Sequence, residues 1–207
     1  MAELALRRTD FTAPAPPLFA RRTLQGEVSD AVSSLIVRGS ITMDAGERAS
    51  AANQLALLGC SVSARLAFKS GLRKAAIESI DTSALAAELA RASRGPVADA
   101  LFSASMDCLS SGGYCETRAA GAMASALARN VTDSAVPGAV ESALRLLKSR
   151  DKSVREAGSR VLISLCRHPS TDPREIAELA YDTGTKEGCF AAETALRMPP
   201  KIIDVPG

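Results

Sequence analysis

Residues 133–168 constrain the fold of this chain most strongly, because they read as two short amphipathic helices joined back to back. Pro137 suits the opening turn of the first helix, where its missing N–H group costs no hydrogen bond. Asp151 is placed to cap the second helix, and Pro169 stops it. Apolar residues recur at helical spacing in both helices: Val140, Ala143, Leu144 and Leu147, then Val154, Ala157, Val161, Leu162 and Leu165. Neither helix can bury such a stripe alone, so the pattern predicts stacked neighbours.

The turn and the second helix share a pattern with known helical repeats: Asp151, Val154, Arg155, Ala157, Val161, Leu162 and Leu165. Together with the end of the first helix, this pattern resembles the HEAT family over one repeat, residues 134–167. The resemblance implies that Asp151 and Arg155 pack between neighbouring units. It also implies that the second helices line a concave face that holds partner proteins.

The composition favours helices that pack closely on one another. Aromatic residues make up 3% of the chain and Trp is absent, so Ala, Leu and Val must fill the core. Small side chains let helices approach closely, which indicates an all-α fold rather than a sheet sandwich. The length of 207 residues fits one domain or one continuous repeat array.

Positions equivalent to Arg155 recur along the chain. They are Arg48, Ser83, Arg118, Arg155 and Gly188, at steps of 35, 35, 37 and 33 residues. Steps of this size are typical of helix-hairpin arrays. We therefore expect residues 27–198 to form an α-solenoid of about five HEAT-like hairpins, right-handed as the resemblance implies. An irregular helical bundle is the alternative.

Helical patterns with short breaks predict the other elements: residues 27–37, 44–58, 62–80, 81–92, 96–109, 116–128, 173–181 and 186–198. Asp44 is placed to cap the second of these helices, and Gly59 to close it. Gly39 is expected to end the first helix, and Gly71 is a candidate interruption of the third. In the third helix Leu66 is expected to belong to the inward-facing stripe.

The two ends of the chain differ from the rest in composition. Residues 1–26 contain three prolines that deny a helix, and two arginine pairs flank them: Arg7, Arg8, Arg21 and Arg22. This predicts an Arg/Pro-rich extended arm, either solvated and mobile or draped over a neighbouring chain. Residues 199–207 begin with Pro199 and Pro200, and we expect them to form an extended C-terminal tail.

The sequence offers little for catalysis. His168 is the only histidine, so a two-His metal site is impossible. Its place at a helix end favours a structural cation near the carbonyl end of the helix dipole. No Ser or Cys is tied to it by a catalytic pattern, and no phosphate-binding glycine motif occurs. We expect no enzymatic activity, no cofactor and no metal.

The five cysteines form no C-x-x-C pair, which argues against a zinc site. Cys108 and Cys115 flank a Gly-Gly turn where two helix ends can meet closely enough for a disulfide. Nothing marks the chain as exported, so we expect most cysteines to be small buried hydrophobes instead. No apolar run approaches the ~18 residues of a membrane span, and a cytoplasmic location without membrane contact is expected.

A formal charge of +2 and a pI near 8.3 are too mild to indicate a nucleic-acid binder. The candidate partner-binding residues are basic positions on the predicted second helices: Arg48, Arg118, Lys152, Arg155 and Arg160. The function expected first is a non-enzymatic scaffold that binds another protein along its concave face. The alternative is a subunit of a larger assembly, a homo-oligomer or nucleoprotein particle, whose arm contacts a neighbour or nucleic acid. For the basic residues themselves, a solvated face in which Glu156 pairs with Arg160 is the competing interpretation.

Overall fold

The computed structural model describes residues 18–59, 62–111 and 114–199, and these residues form ten α-helices without a β-strand. The predicted all-α class is confirmed. The helices are α1 (Leu18–Ile41), α2 (Ala45–Leu58), α3 (Val62–Ile77), α4 (Ser83–Ala92), α5 (Pro96–Ser111), α6 (Tyr114–Leu127), α7 (Val136–Leu147), α8 (Lys152–Leu165), α9 (Pro173–Tyr181) and α10 (Lys186–Leu196).

Helix α1 begins earlier than the sequence pattern predicts. It starts at Leu18, nine residues before the expected start at Glu27. Pro17 immediately precedes it, and a proline disrupts a helix that would run through it but not one that begins after it. Arg21 and Arg22 therefore lie in α1 and not in an extended arm.

Most of the predicted arm and tail lies outside the described residues. Residues 1–17, which include Arg7 and Arg8, belong to this part of the chain, as do residues 200–207. An extended arm therefore stays a prediction for residues 1–17, and an extended tail for residues 200–207.

Four consecutive helix pairs pack as hairpins: α1 with α2, α5 with α6, α7 with α8, and α9 with α10. The remaining pair is different, because α3 and α4 have little contact with each other. Helix α3 packs against α1, α5 and α6, while α4 packs against α2 and α6. Every extensive helix contact joins helices no more than three positions apart in the chain.

The second helices of successive pairs, α2, α4, α6, α8 and α10, pack on one another in a continuous row. From α5 onward this row is packed more closely than the row of first helices, α5, α7 and α9. We call the exposed side of α4, α6 and α8 and the residues just beyond their ends the second-helix face. Its exposed basic residues are Arg91, Arg94, Arg118, Arg129, Arg150, Lys152, Arg160 and Arg167.

Aspartates predicted to cap helices do so at α2 and α8. Asp44 precedes α2 with φ −78° and ψ 123°, and its Oδ1 accepts a hydrogen bond from the Glu47 N–H at 2.8 Å. Asp151 precedes α8 with φ −79° and ψ 122°, and its Oδ1 accepts from the Ser153 N–H at 2.8 Å. Gly59 follows the last residue of α2, as expected. The two capping aspartates thus have nearly equal backbone angles, although they accept hydrogen bonds from different positions of the first helical turn.

Two glycines expected to break helices lie instead where helices approach closely. Helix α1 continues through Gly39, where an added Cβ atom would lie 2.8 Å from Leu85 Cδ1. Helix α3 continues through Gly71, where a Cβ would lie 2.5 Å from Ile36 Cδ1 and 3.1 Å from Ser33 Cα. These distances leave no room for a side chain, so the glycines permit helix packing rather than interrupting helices.

The inward-facing stripe of α3 differs from the predicted one at Leu66. This residue was expected to point inward, but 59% of it is exposed. The stripe runs instead through Phe68, Leu72 and Ala76, all of which are buried. Leu66 lies on the other side of the helix, and the correction follows from the 3.6-residue period.

The thiol of Cys108 is free and completely buried in α5. Burial raises its pKa to about 11, because the charged thiolate is poorly solvated there. Cys166 is also buried. The side chain of Cys115 lies outside the described residues, and the free thiol of Cys108 gives no support to a bridge between the two.

We expect Gly71→Ala to destabilise the protein by about 1–3 kcal/mol, because its methyl group meets both a side chain and the backbone of α1. The measurement is the free energy of unfolding in urea. Gly138→Ala in α7 is the matched control, since a Cβ there has no heavy atom within 4 Å. That control should raise stability by about 0.5–1 kcal/mol. Equal effects of the two substitutions would contradict the close approach of α1 and α3.

Candidate interaction surface

Arg155 joins two hairpins rather than facing solvent. Its Nε donates to Glu187 Oε2 at 2.9 Å and its Nη2 to Glu187 Oε1 at 3.3 Å, which forms a bidentate pair between α8 and α10. Its Nη1 donates to the carbonyl oxygens of Ser149 and Arg150, both at 3.0 Å. The side chains of Arg155 and Glu187 are only 22% and 13% exposed. Arg155 thus joins α8 to the neighbouring hairpin, whereas Asp151 caps its own helix.

This pairing shifts the ionisation of both groups. The hydrogen bond from Arg155 lowers the pKa of Glu187, and the same bond raises the pKa of the Arg155 guanidinium. All three guanidinium nitrogens of Arg155 donate hydrogen bonds to groups within the chain. Arg155 therefore ties α8 to α10 and to the turn before α8.

Arg48 occupies the equivalent place in the first hairpin. Its Nη2 donates to the Thr42 carbonyl oxygen at 2.8 Å, six residues back, as Arg155 does to Ser149. In both turns the aspartate N–H also donates to the hydroxyl two residues earlier, at 3.2 Å. The Nε of Arg48 is buried and has no hydrogen-bond partner. Arg48 thus supports the turn between α1 and α2.

The other three predicted residues lie on the second-helix face. Lys152 and Arg160 are 75% and 58% exposed and approach Glu156 at 3.6 and 3.8 Å. Exposed pairs of this kind are weak, so a partner can displace them. Arg118 is exposed on α6 and forms no ion pair with a described residue. The structure therefore divides the predicted set into two structural arginines and three accessible cations.

A series of hydrogen bonds between successive hairpins was not predicted from the sequence. The Asn130 side chain donates to the Ser93 carbonyl oxygen at 3.1 Å, and the His168 ring bonds the Val131 carbonyl oxygen at 2.9 Å. Thr82 Oγ1 donates to the Ala119 carbonyl oxygen at 3.2 Å. Each of these bonds spans 37 residues, and those of Asn130 and His168 join equivalent loops, because each side chain lies just after a second helix and bonds the loop after the preceding one.

Carboxylates join the same loops. Both carboxylate oxygens of Asp99 accept from Thr132, one from its N–H and one from its hydroxyl, each at 2.7 Å. The hydroxyl of Ser170 donates to Asp133, again across 37 residues. The sequence signal for this series is the recurrence of an arginine followed by a side chain that hydrogen-bonds, Arg129–Asn130 and Arg167–His168, 38 residues apart.

His168 has a structural role that differs from the predicted one. Only 3% of it is exposed, and its Nδ1 accepts a hydrogen bond from the Ser170 N–H at 3.2 Å. Its Nε2 must then carry the proton that bonds the Val131 carbonyl oxygen. The ring thus joins two hairpins, a contact that the sequence pattern did not predict.

The described residues also line an open depression. Among them, no group of three or more His, Cys, Asp or Glu side chains is placed to hold a metal ion. An open depression lies between the N-terminal ends of α8 and α10, and its charged lining residues are Lys152, Arg155, Lys186 and Glu187. None of the ten helices is both long and apolar enough to span a bilayer within the part of the chain that is described.

Comparison with known proteins adds little. No family model matches the chain, and no curated protein matches it. Two crystal structures of engineered proteins from the Northeast Structural Genomics Consortium are similar to it. One is 19% identical over 82% of this chain and 78% of its own, with a TM-score of 0.39. The other is 22% identical over 80% of this chain and 47% of its own, with a TM-score of 0.34. Likeness of this degree bears on neither fold nor function.

We expect Glu187→Gln to destabilise the protein at neutral pH, because it removes the charge that faces Arg155. The pKa of Glu187 is depressed in the folded state, so its contribution is present above the ordinary value of 4.5 and is lost as the pH falls through the folded value. Urea midpoints of the wild type and the variant should therefore converge below pH 4.5. Glu27→Gln, which changes an exposed carboxylate in the interior of α1, is the control and should leave the midpoint nearly unchanged at every pH. A constant difference between wild type and Glu187→Gln would refute the assigned role.

Proposed function

We propose that this protein is a non-enzymatic scaffold, a HEAT-like right-handed α-solenoid that binds another protein along the concave face formed by its second helices. The observation that carries the proposal is the set of hydrogen bonds that join successive hairpins at a separation of 37 residues. A constant separation is what stacked repeats require, since each unit contacts its neighbours in the same way. A bundle whose helices surround a single core does not require contacts at a constant sequence separation.

The helix contacts support the same proposal. Extensive contacts stop at the third helix along the chain, as they do in an open array. Closer packing of α6, α8 and α10 than of α5, α7 and α9 favours curvature toward the second helices. In this arrangement the exposed side of α6 and α8 lies on the inside of the curve.

Charge supports a protein partner with an acidic surface. The accessible cations Arg118, Lys152 and Arg160 lie on the second helices α6 and α8. The first helices α5, α7 and α9 carry exposed carboxylates, among them Asp107 and Glu175. Over their lengths, α6 and α8 carry four cations and two carboxylates, whereas α5, α7 and α9 carry two cations and five carboxylates. Complementary charge speeds the association of an acidic partner with the more basic side.

A photo-crosslinking amino acid placed at Arg118 or Arg160 tests the proposal in cells of the source organism. We expect the same protein, identified by mass spectrometry, in the adducts from both positions. Ser103 on α5 and Glu141 on α7 are matched control positions, because both are exposed on first helices. Adducts that form equally from the control positions, or different proteins from Arg118 and Arg160, would overturn the concave-face assignment.

A second candidate function is a subunit of a larger assembly, and one observation favours it. Large apolar side chains are exposed on the first hairpin and on α3, with Met43 95%, Leu57 83% and Ile77 80% exposed. Exposed apolar groups of this size often mark contacts between proteins. Sedimentation of the full chain over a range of concentrations tests it, and Leu57→Ser should weaken any oligomer. A monomer at every concentration would exclude a homo-oligomer.

A further inference from the structure

Three arginines recur at the C-terminal ends of successive second helices. Arg91 lies in the last turn of α4, Arg129 lies just after α6, and Arg167 lies just after α8. They follow one another at steps of 38 residues, and all three are exposed. We call them the arginine row. None belongs to the set predicted from the sequence.

The hydrogen bonds between hairpins hold this row in register. Asn130 follows Arg129 directly and bonds the Ser93 carbonyl oxygen, while His168 follows Arg167 and bonds the Val131 carbonyl oxygen. Each arginine beyond the first is thus one residue away from a fixed contact with the preceding unit. Packed helices lie about 8–10 Å apart, so the row presents one guanidinium about every 8–10 Å.

Only one arginine of the row forms an ion pair with a described residue. Arg91 pairs with Glu88 at 2.6 Å, but its side chain is 74% exposed and the pair lies within a single helix. Arg129 and Arg167 form no ion pair with any residue that the structure describes. Two of the three cations therefore lack a carboxylate partner within the described chain.

The carboxylates near the row accept hydrogen bonds from other groups. Both oxygens of Asp99 accept from Thr132, and Asp133 accepts from the Ser170 hydroxyl. Asp172 caps α9 by accepting from an N–H in its first turn. These three acids stabilise loops and helix ends, and none of them forms an ion pair with an arginine of the row.

We infer that the arginine row binds an extended acidic segment of the partner protein, in polyproline II conformation, with a carboxylate at every third residue. This inference rests on the proposed scaffold function and names the partner's chemistry. A polyproline II helix has three residues per turn and rises about 3.1 Å per residue, so every third side chain lies on one face, about 9.3 Å from the next. That spacing matches the spacing of packed helices. A guanidinium binds a carboxylate through two parallel hydrogen bonds.

The surroundings of the row favour an acidic peptide over single-stranded nucleic acid. Binders of single strands stack bases on exposed aromatic side chains. Among the described side chains, Phe68 and Phe102 are buried, and the exposed aromatics Tyr181 and Phe190 both lie in the last hairpin, beyond the row. A peptide needs only the charges and their spacing, which the row supplies.

The test measures binding of two fluorescent peptides of equal composition to the full-length protein at low salt. One repeats Glu-Pro-Pro three times, and the other carries its three glutamates in one block followed by the six prolines. We expect the spaced peptide to bind about tenfold more tightly than the blocked peptide, and salt to weaken its binding. The triple substitution Arg91→Gln, Arg129→Gln and Arg167→Gln should remove this preference. Circular dichroism and the urea midpoint confirm that the variant is folded.

The control variant changes the same number of exposed cations on first helices and their ends: Lys74→Gln, Arg145→Gln and Lys148→Gln. It should keep the preference for the spaced peptide. Equal binding of the two peptides, an equal loss in the control variant, or tighter binding of a thymidine oligonucleotide of equal charge would overturn the inference. The scaffold function is judged separately, since crosslinks from Arg118 and Arg160 on the helix surfaces do not require the arginine row.

Discussion

The close approach of helices through small side chains is the constraint on which the rest of this structure depends. A Cβ added at Gly158 would lie 2.9 Å from Leu146 Cβ and 3.1 Å from the Ala143 carbonyl oxygen, and Gly71 is equally crowded. Such contacts bring backbones together and compensate for the scarcity of large aromatic side chains in the core. They also bring the carbonyl oxygens of one hairpin within reach of short polar side chains on the next. The hydrogen bonds of Thr82 and Asn130 follow from that proximity.

Much of the local structure was predictable because its causes lie within a few residues of one another. The caps at Asp44 and Asp151 and the limits of α9 follow from short-range rules, and all agree with the structure. The start of α1 was not predictable from composition. The prolines up to Pro17 suggested an extended segment through residue 26, but the helix begins directly after Pro17. Gly71 misled in the same way, because a glycine that permits packing and one that breaks a helix look alike in a sequence.

The candidate site shows where sequence patterns stop being informative. Arg155 and Arg160 differ by five residues on the same helix, yet one is locked between hairpins and the other is exposed. Only the position of Glu187 on another helix separates their roles. The contact of His168 is with a main-chain carbonyl, which every residue possesses, so no partner residue type could reveal it. The recurrence of Arg129–Asn130 and Arg167–His168 was the one available signal in the sequence. These positions differ from the ones that the alignment on Arg155 compares.

The irregular second pair has consequences for how this helical fold could be shortened or lengthened. Since α3 rests on α1, α5 and α6 and has little contact with α4, the first six helices interlock across unit boundaries. Deleting α3 and α4 together would expose surfaces on both flanking pairs that are not complementary to each other. The pairs α7–α8 and α9–α10 each close on themselves. Single helix pairs can therefore be duplicated or grafted in the C-terminal third of this protein, but not along the whole chain.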